Sequence, residues 1–445
     1  MRFGAVLALR HEGVKVSHSF ARLGRRLVGS WPSGVLIGAT ALLLGLATPA
    51  AAQWQPNETR ASPQSDLIDY EFSQARGMFA WNDCCGKLWI GKVDRSTGKF
   101  EPSDGKFMLI DPDSMSFDDA QKTKNGPEWV STSIGDVIVY TRYSGRHIDA
   151  NARIGYAFPM LPSSSCNYIS ADAYWCATNL GPAVARKAPY GSHGAGDPAP
   201  RISYVDGQEV HYWRELWNPA TERPFADFPP SNYPMRQTEC SDPAVPGVRS
   251  IVYPVAVDGV DQAFMRDFDS GVVTQLTSDP GQKYEVWMWC APEYGNELLF
   301  FTLVDQVELR VYRNLPVGPG GAKRWTAVYS QLAPTGNQIF SPEPFVYAGK
   351  SYIFMSQTVS PNKFRSQVWI ANIDAAAPIF KRITPLIPLQ TRTDPEVFIT
   401  DNGPYIYYNI LEPGIRPNGQ PKPCRDPVTC SLGVWFADPG LRTTP

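Results

Sequence analysis

The stretches Ser341-Pro-Glu-Pro-Phe-Val-Tyr-Ala-Gly-Lys-Ser-Tyr-Ile-Phe-Met-Ser356 and Asp394-Pro-Glu-Val-Phe-Ile-Thr-Asp-Asn-Gly-Pro-Tyr-Ile-Tyr-Tyr-Asn409 read as two copies of one unit. Each opens on Pro-Glu, continues as a short alternating strand, turns at a glycine and returns as an aromatic strand, which is the composition of a hairpin. The unit recurs at Pro127-Glu128 with Gly135 and Val137–Tyr140, and at Pro292-Glu293 with Gly295 and Leu298–Phe301. Asp69-Tyr70-Glu71 with Gly77 and Met78–Trp81 is a further copy, and Pro200-Arg201 with Gly207 and Val210–Trp213 a variant. Asp242-Pro243 with Ile251–Tyr253 supplies a degenerate seventh.

A second half-repeat follows several hairpins. Leu88–Asp94, Ala263–Asp269 and Val368–Asp374 each read as a third strand ending in Asp, and Val273–Thr277 and Phe380–Thr384 as a fourth. Four strands per unit is the blade of a β-propeller. Glu71 and Glu396 are six intervals apart, about 54 residues each. The expected fold is therefore all-β, a propeller of four-stranded antiparallel blades, about seven in number. Six or eight are the alternatives, and five fits less well. The 445 residues carry 41 Pro, 36 Gly, 13 Trp, 20 Tyr and 21 Phe, as many short strands joined by tight turns require.

Ahead of the repeats, Arg22, Arg25 and Arg26 precede the uncharged run Gly34–Leu46, and Ala50–Ala52 offers small residues for cleavage. This predicts a signal peptide over 1–52 and a mature, single propeller domain over 53–445, exported to the periplasm or beyond. The apolar run is too short for a stable membrane span. Without the leader the chain has 35 basic and 42 acidic residues, which disfavours nucleic acid as a partner. A monomer is expected.

All eight cysteines follow the leader. Cys166 with Cys176 and Cys424 with Cys430 read as local loop staples, and Cys240 with Cys290 as a link between neighbouring blades. Cys84-Cys85 leaves three readings open: a vicinal disulfide, separate pairing, or free thiols. No Cys-x-x-Cys or His-x-His spacing points to zinc, and no metal site is assigned.

The first strand of each blade lines the axis of a propeller. Residues opening the predicted hairpins then face one pocket: Glu71, Glu128, Arg201, Asp242, Glu293, Glu343 and Glu396, with Asp394 beside the last. Close carboxylates raise one another's pKa, which suits a general acid paired with a base. Glu128, Glu293, Glu343 and Glu396 are the candidate catalytic groups. Arg201, Asp394, Glu71 and His193 are the candidate substrate-binding groups, His193 lying in the glycine-rich stretch Tyr190–Asp197. The same ring of oxygens would suit Ca2+, with no other cofactor implied. A Glu repeated in every blade equally suits capping of strand N–H groups. Trp287, Trp289, Trp213, Trp217, Tyr190 and Tyr405–Tyr408 lie in or beside the predicted channel strands, where they stack on sugar faces or pack between blades.

Gly271-Val-Val-Thr-Gln-Leu-Thr277 and the hairpin-then-Asp layout resemble the TolB-type propeller repeat. The Asp-Pro-Glu and Glu-Pro-Phe openings resemble the blades of secreted glycoside hydrolases with five-bladed propellers. Val93–Phe100 and Cys84-Cys85 are similar, over that stretch alone, to the docking motif and vicinal cysteines of quinoproteins. The ring of acids, Arg201 and the abundant aromatics point to a carbohydrate-active enzyme, hydrolase or lyase, acting on an acidic or plant-derived glycan; the competing reading is a non-catalytic periplasmic binding propeller, as in TolB-type proteins. No Gly-x-Ser-x-Gly elbow is present for a serine esterase.

Overall fold

The computed structural model describes residues 57–442, except 119, 121–125, 161–164, 181–184, 192–198, 207–209, 225–235, 241–248, 319, 359–364, 375, 388, 418–421, 423 and 425–426. Within these, seven antiparallel sheets follow one another along the chain as the blades of a propeller. The innermost strands are Glu71–Ser73, Glu128–Val130, Lys187–Gly191, Arg236–Gln237, Lys283–Ala291, Gln338–Tyr347 and Thr391–Thr400, in blades 1 to 7. Blade 1 gains Met108–Asp111 beside its third strand, and blade 2 gains Tyr168–Ile169 at its outer edge.

Local chemistry accounts for the meander. Ala348-Gly349 and Asp258-Gly259 both take left-handed backbone, with φ of 51° and 72° in the first turn and 53° and 82° in the second. Such turns match the twist of the strands they join, and glycine adopts them without steric cost. Alternating side chains then fill the space between blades. Trp287, Trp289, Phe301, Ile339, Ile353 and Met355 form one buried cluster across blades 5 and 6. Phe72 meets Phe398 and Tyr407, with centroids 5.3 and 4.9 Å away, across blades 1 and 7. Each fully buried side chain of this size contributes about 1.5–3 kcal/mol.

The ring closes through its N-terminal end. Glu58–Ser62 pairs with Ser431–Ala437 and becomes the outermost strand of blade 7. Arg392, wholly buried, holds Glu58 by two contacts, Nε to Oε1 at 2.5 Å and the second guanidinium nitrogen to Oε2 at 2.8 Å. The Tyr408 hydroxyl donates to Glu58 Oε1 at 2.9 Å.

Three disulfides join Cys166 to Cys176, Cys240 to Cys290 and Cys424 to Cys430, and the second ties blade 4 to blade 5. Cys84 and Cys85 are exposed free thiols. The disulfides are consistent with an exported protein. Among the described residues no helix is long and apolar enough to cross a membrane.

Two hairpin assignments need correction. Arg201 does not open an innermost strand: Arg201–Val205 is the second strand of blade 3, behind Lys187–Gly191. Glu293 lies in the one-turn 3-10 helix Pro292–Tyr294, at the far end of the innermost strand of blade 5. Both dipeptides imitate the repeat, but their prolines sit where the chain turns between strands. Asp242 and His193 lie outside the described residues, and the innermost strand of blade 4 is Arg236–Gln237.

Candidate functional site

One backbone device recurs along the axis. The innermost strands of blades 3, 5, 6 and 7 each carry a register shift, between Lys187 and Tyr190, Tyr284 and Val286, Phe340 and Glu343, and Thr393 and Glu396. At each shift one residue has left-handed backbone: Ala188, Glu285, Ser341 and Asp394, with φ between 44° and 53°. Asp69, with φ 56°, takes the same conformation just ahead of blade 1. A bulge of this kind re-aims the side chains that follow it.

Two residues after the bulge stand Glu71, Tyr190, Trp287, Glu343 and Glu396, and Glu128 and Arg236 begin the strands of blades 2 and 4. Each pairs with the second strand of its own blade, opposite Ala80, Val139, Ser203, Val252, Phe301, Phe354 and Tyr407 in blade order. The ring is thus four acids, a tyrosine, a tryptophan and an arginine. The bulge residues Asp69, Glu285 and Asp394 add three further acids beside it.

The structure therefore brings together Glu71, Glu128, Glu343, Glu396 and Asp394. Arg201 and Glu293 stand elsewhere. Arg201 lies between blades 3 and 4, bonded to Asp269 Oδ1 at 2.8 Å and packed on the rings of Trp213 and Phe268. The Glu293 carboxylate accepts the Ser351 N–H at 2.7 Å and its hydroxyl at 3.0 Å, fastening blade 5 to blade 6. Of the aromatics, Tyr190, Trp287 and Trp289 lie on innermost strands. Trp213 and Tyr405–Tyr408 lie on outer ones, and Trp217 in a turn.

The axial arginine is Arg236. Its guanidinium lies 4.3 Å from the Trp287 ring centroid and 5.0 Å from that of Tyr190. The charges of Glu343, Glu285 and Glu128, together with Tyr190, outweigh its burial and strengthen its hold on the proton. The carboxyls move in the corresponding sense. Burial pushes Glu396 well above the usual carboxylate range, and the charges of Glu343, Glu71, Asp394 and Glu128 add to it. Burial likewise raises Glu343, Arg236 opposing and Glu239, Asp394 and Glu128 reinforcing.

Asp69 and Asp394 form a hydrogen-bonded acid pair. Burial is the main cause that raises both, and the hydrogen bond between them couples their titrations, so the two carboxyls act as a pair. A Cβ on Gly126 would stand 2.7 Å from Asp69 Oδ2, so the glycine ahead of Pro127 makes room for this pair. Asp69, Glu343, Asp394 and Arg236 keep partial exposure although protein surrounds them. They line a recess at the axis.

Two donors at this site lack hydrogen-bond partners among the described residues: the buried Arg236 Nε and Trp287 Nε1. Among the described residues no three of His, Cys, Asp or Glu converge as a group that could hold a metal ion.

Arg236, Asp69 and Glu285 escaped the sequence reading. A signal was present: Ala188-Pro189-Tyr190 and Gly126-Pro127-Glu128 share their spacing with Ser341-Pro342-Glu343, and Pro234 stands two residues before Arg236.

No family model matches the chain, and no curated protein matches it. Solved structures do. TolB from Acinetobacter baumannii is 14% identical over 80% of this chain and 78% of its own, with a TM-score of 0.35. The Cps50 (Swd1) β-propeller domain of Myceliophteria thermophila is 9% identical over 86% and 97%, with a TM-score of 0.42. Hsv2p of Kluyveromyces lactis is 10% identical over 80% and 95%, with a TM-score of 0.40. These likenesses concern the propeller fold alone.

Proposed function

We propose that the chain is an exported propeller that binds a neutral, hydroxyl-rich glycan at the axial recess and hydrolyses its glycosidic bond there. The observation that carries this reading is the meeting of unsatisfied donors, Arg236 Nε and Trp287 Nε1, with carboxyls whose hold on the proton burial strengthens. Buried polar atoms are ordinarily satisfied, and sugar hydroxyls accept from such donors while donating to carboxylates. The surrounding acids disfavour an anionic substrate, so the acidic glycan expected around Arg201 gives way to a neutral one.

Cleavage requires a protonated acid and an ionised partner, about 5–9.5 Å apart, on either side of the bond. The hydrogen-bonded Asp69 and Asp394 are too close together for that division of labour and serve to fix protons in the recess. Glu343 and Glu396, in adjacent blades, are the acid and base of the proposal, with Glu128 and Glu71 completing the polar wall. A purely binding propeller, the other reading, keeps the same recess and lacks turnover.

Mature protein spanning 53–445 is tested against neutral oligosaccharides by release of reducing ends. Glu343→Gln and Glu396→Gln are each expected to lower kcat by about 10^2–10^4. The same variants are expected to gain about 0.5–2 kcal/mol of stability at pH 8. The sign follows from the raised pKa values. A carboxyl raised on folding stabilises the protein below its unfolded value, near 4, and that contribution is lost as pH rises through the folded value. Denaturation at pH 5 and pH 8 measures it. Turnover left intact in both variants, or no glycan bound at all, contradicts the proposal.

A further inference from the structure

The turn that follows the second strand of blade 1 presents two adjacent sulfurs, and nothing in the axial chemistry uses them. Cys84 and Cys85 are both exposed, with Sγ atoms 2.9 Å apart. They stand side by side on a turn braced by its own hydrogen bonds. Asp83 Oδ1 accepts the N–H groups of Cys85 at 2.8 Å and Lys87 at 2.9 Å, and its Oδ2 accepts Trp89 Nε1 at 2.9 Å. The Asp83 carbonyl accepts the Phe117 N–H at 3.0 Å. Gly86, with φ 81°, completes the turn, and a Cβ there would meet His147 Cε1 at 2.6 Å.

The turn stands at the end of the ring where the innermost strands begin. Glu71 pairs with Ala80, and the second strand runs on only to Asn82 before the cysteines. The charge of Asp66, three residues ahead of Asp69, acts on Cys84. The sulfurs therefore lie at the same end of blade 1 as the acid pair.

We infer that Cys84 and Cys85 close reversibly into a vicinal disulfide, a redox modification site on the rim of the axial recess. Closure joins the two Sγ atoms and releases two protons and two electrons. The electrons reduce the disulfide of a thiol–disulfide oxidant to two thiols, the class of reagent that also forms the three structural bridges. The hydrogen bond to Cys85, then burial and the nearby negative groups, push the Cys84 thiol up to about 12. The product is an eight-membered ring spanning one peptide bond, strained and exposed, and so more readily reduced than the three structural disulfides.

The test equilibrates mature protein in glutathione buffers of stepped ratio, quenches with acid, alkylates with N-ethylmaleimide and weighs the peptide containing Cys84 and Cys85. The expected result is two states, one carrying two maleimide adducts and one internally bridged, the latter unalkylated and two hydrogens lighter than the free dithiol peptide. They should interconvert at ratios where the other three bridges stay closed, independently of protein concentration. Cys85→Ser should leave Cys84 singly alkylated. A pair that stays doubly alkylated at every ratio, or that appears bridged to another chain or another cysteine, overturns the inference.

Discussion

Arg236→Met is expected to destabilise the protein by about 3–5 kcal/mol at pH 8, and by distinctly less at pH 5. The size follows from what the guanidinium does. It stands among Glu128, Glu285 and Glu343 in a recess that water reaches poorly, and it covers the faces of Trp287 and Tyr190. Taking it away leaves ionised carboxylates without their compensating charge, which costs far more than the net worth of the ion pairs. The pH dependence follows from the same groups. Burial holds Glu343 and Glu396 above the ordinary carboxylate range, so they are ionised to a smaller degree at pH 5 than at pH 8 and need less compensation there. At pH 8 they demand the most. Urea denaturation at the two values reads both quantities; equal losses at both would detach Arg236 from the acids.

Glu58→Ala is expected to cost about 3–5 kcal/mol, by a different route. Arg392 is wholly buried, and Glu58 is its carboxylate partner through two contacts, with Tyr408 bonded to the same oxygen. Arg392 also belongs to the seam with blade 6, since its backbone N–H donates to Ser366 Oγ at 2.6 Å. The variant therefore strands a buried cation at the joint where the first strand closes the ring. Opening of that joint should appear as faster amide exchange in Glu58–Ser62 and Ser431–Ala437, ahead of the other blades. Replacing both residues, Glu58→Gln with Arg392→Met, should recover part of the loss, because no isolated charge is then buried. A loss below about 1 kcal/mol, or uniform exchange around the ring, runs against this account of closure.

The fold was legible because a blade repeats its turn chemistry as well as its strands. Asp394-Pro-Glu and Ser341-Pro-Glu mark a bulge that only a few residue types tolerate, and that constraint recurs at Asp69-Tyr-Glu. The third and fourth strands at Val368 and Phe380, or Ala263 and Val273, were legible from alternation alone. Blades 3 and 4 were misaligned because their innermost strands are short and hold Tyr190 and Arg236 where the other copies hold glutamate or tryptophan. The Pro-Arg and Pro-Glu dipeptides of Pro200 and Pro292 then attracted the repeat to the wrong strand. Periodicity identifies which residues are equivalent. It does not say which member of the ring is the cation, since that depends on distances across the axis.

The acid pair was hidden for a related reason. Asp69 and Asp394 are 325 residues apart and meet only because blade 7 closes against blade 1. Asp394 was named for its place beside Glu396, whereas Asp69 is recognisable only once the bulge positions are superposed. Glu293 and Arg201 show the opposite case, in which a charged group at the right spacing is consumed in fastening one blade to the next.

Everything proposed for the recess depends on carboxyl groups that keep their protons at neutral pH. Infrared absorption of protonated carboxyls in the mature protein at pH 7 tests this directly, with Glu343→Gln and Glu396→Gln as assignments. The predicted result is a protonated-carboxyl band at pH 7 that loses intensity in the variant of whichever glutamate serves as the acid, the other being ionised as the base, and that disappears only when the pH is raised further. A spectrum without that band at pH 7, with every carboxyl titrating near 4 as in free side chains, would contradict it.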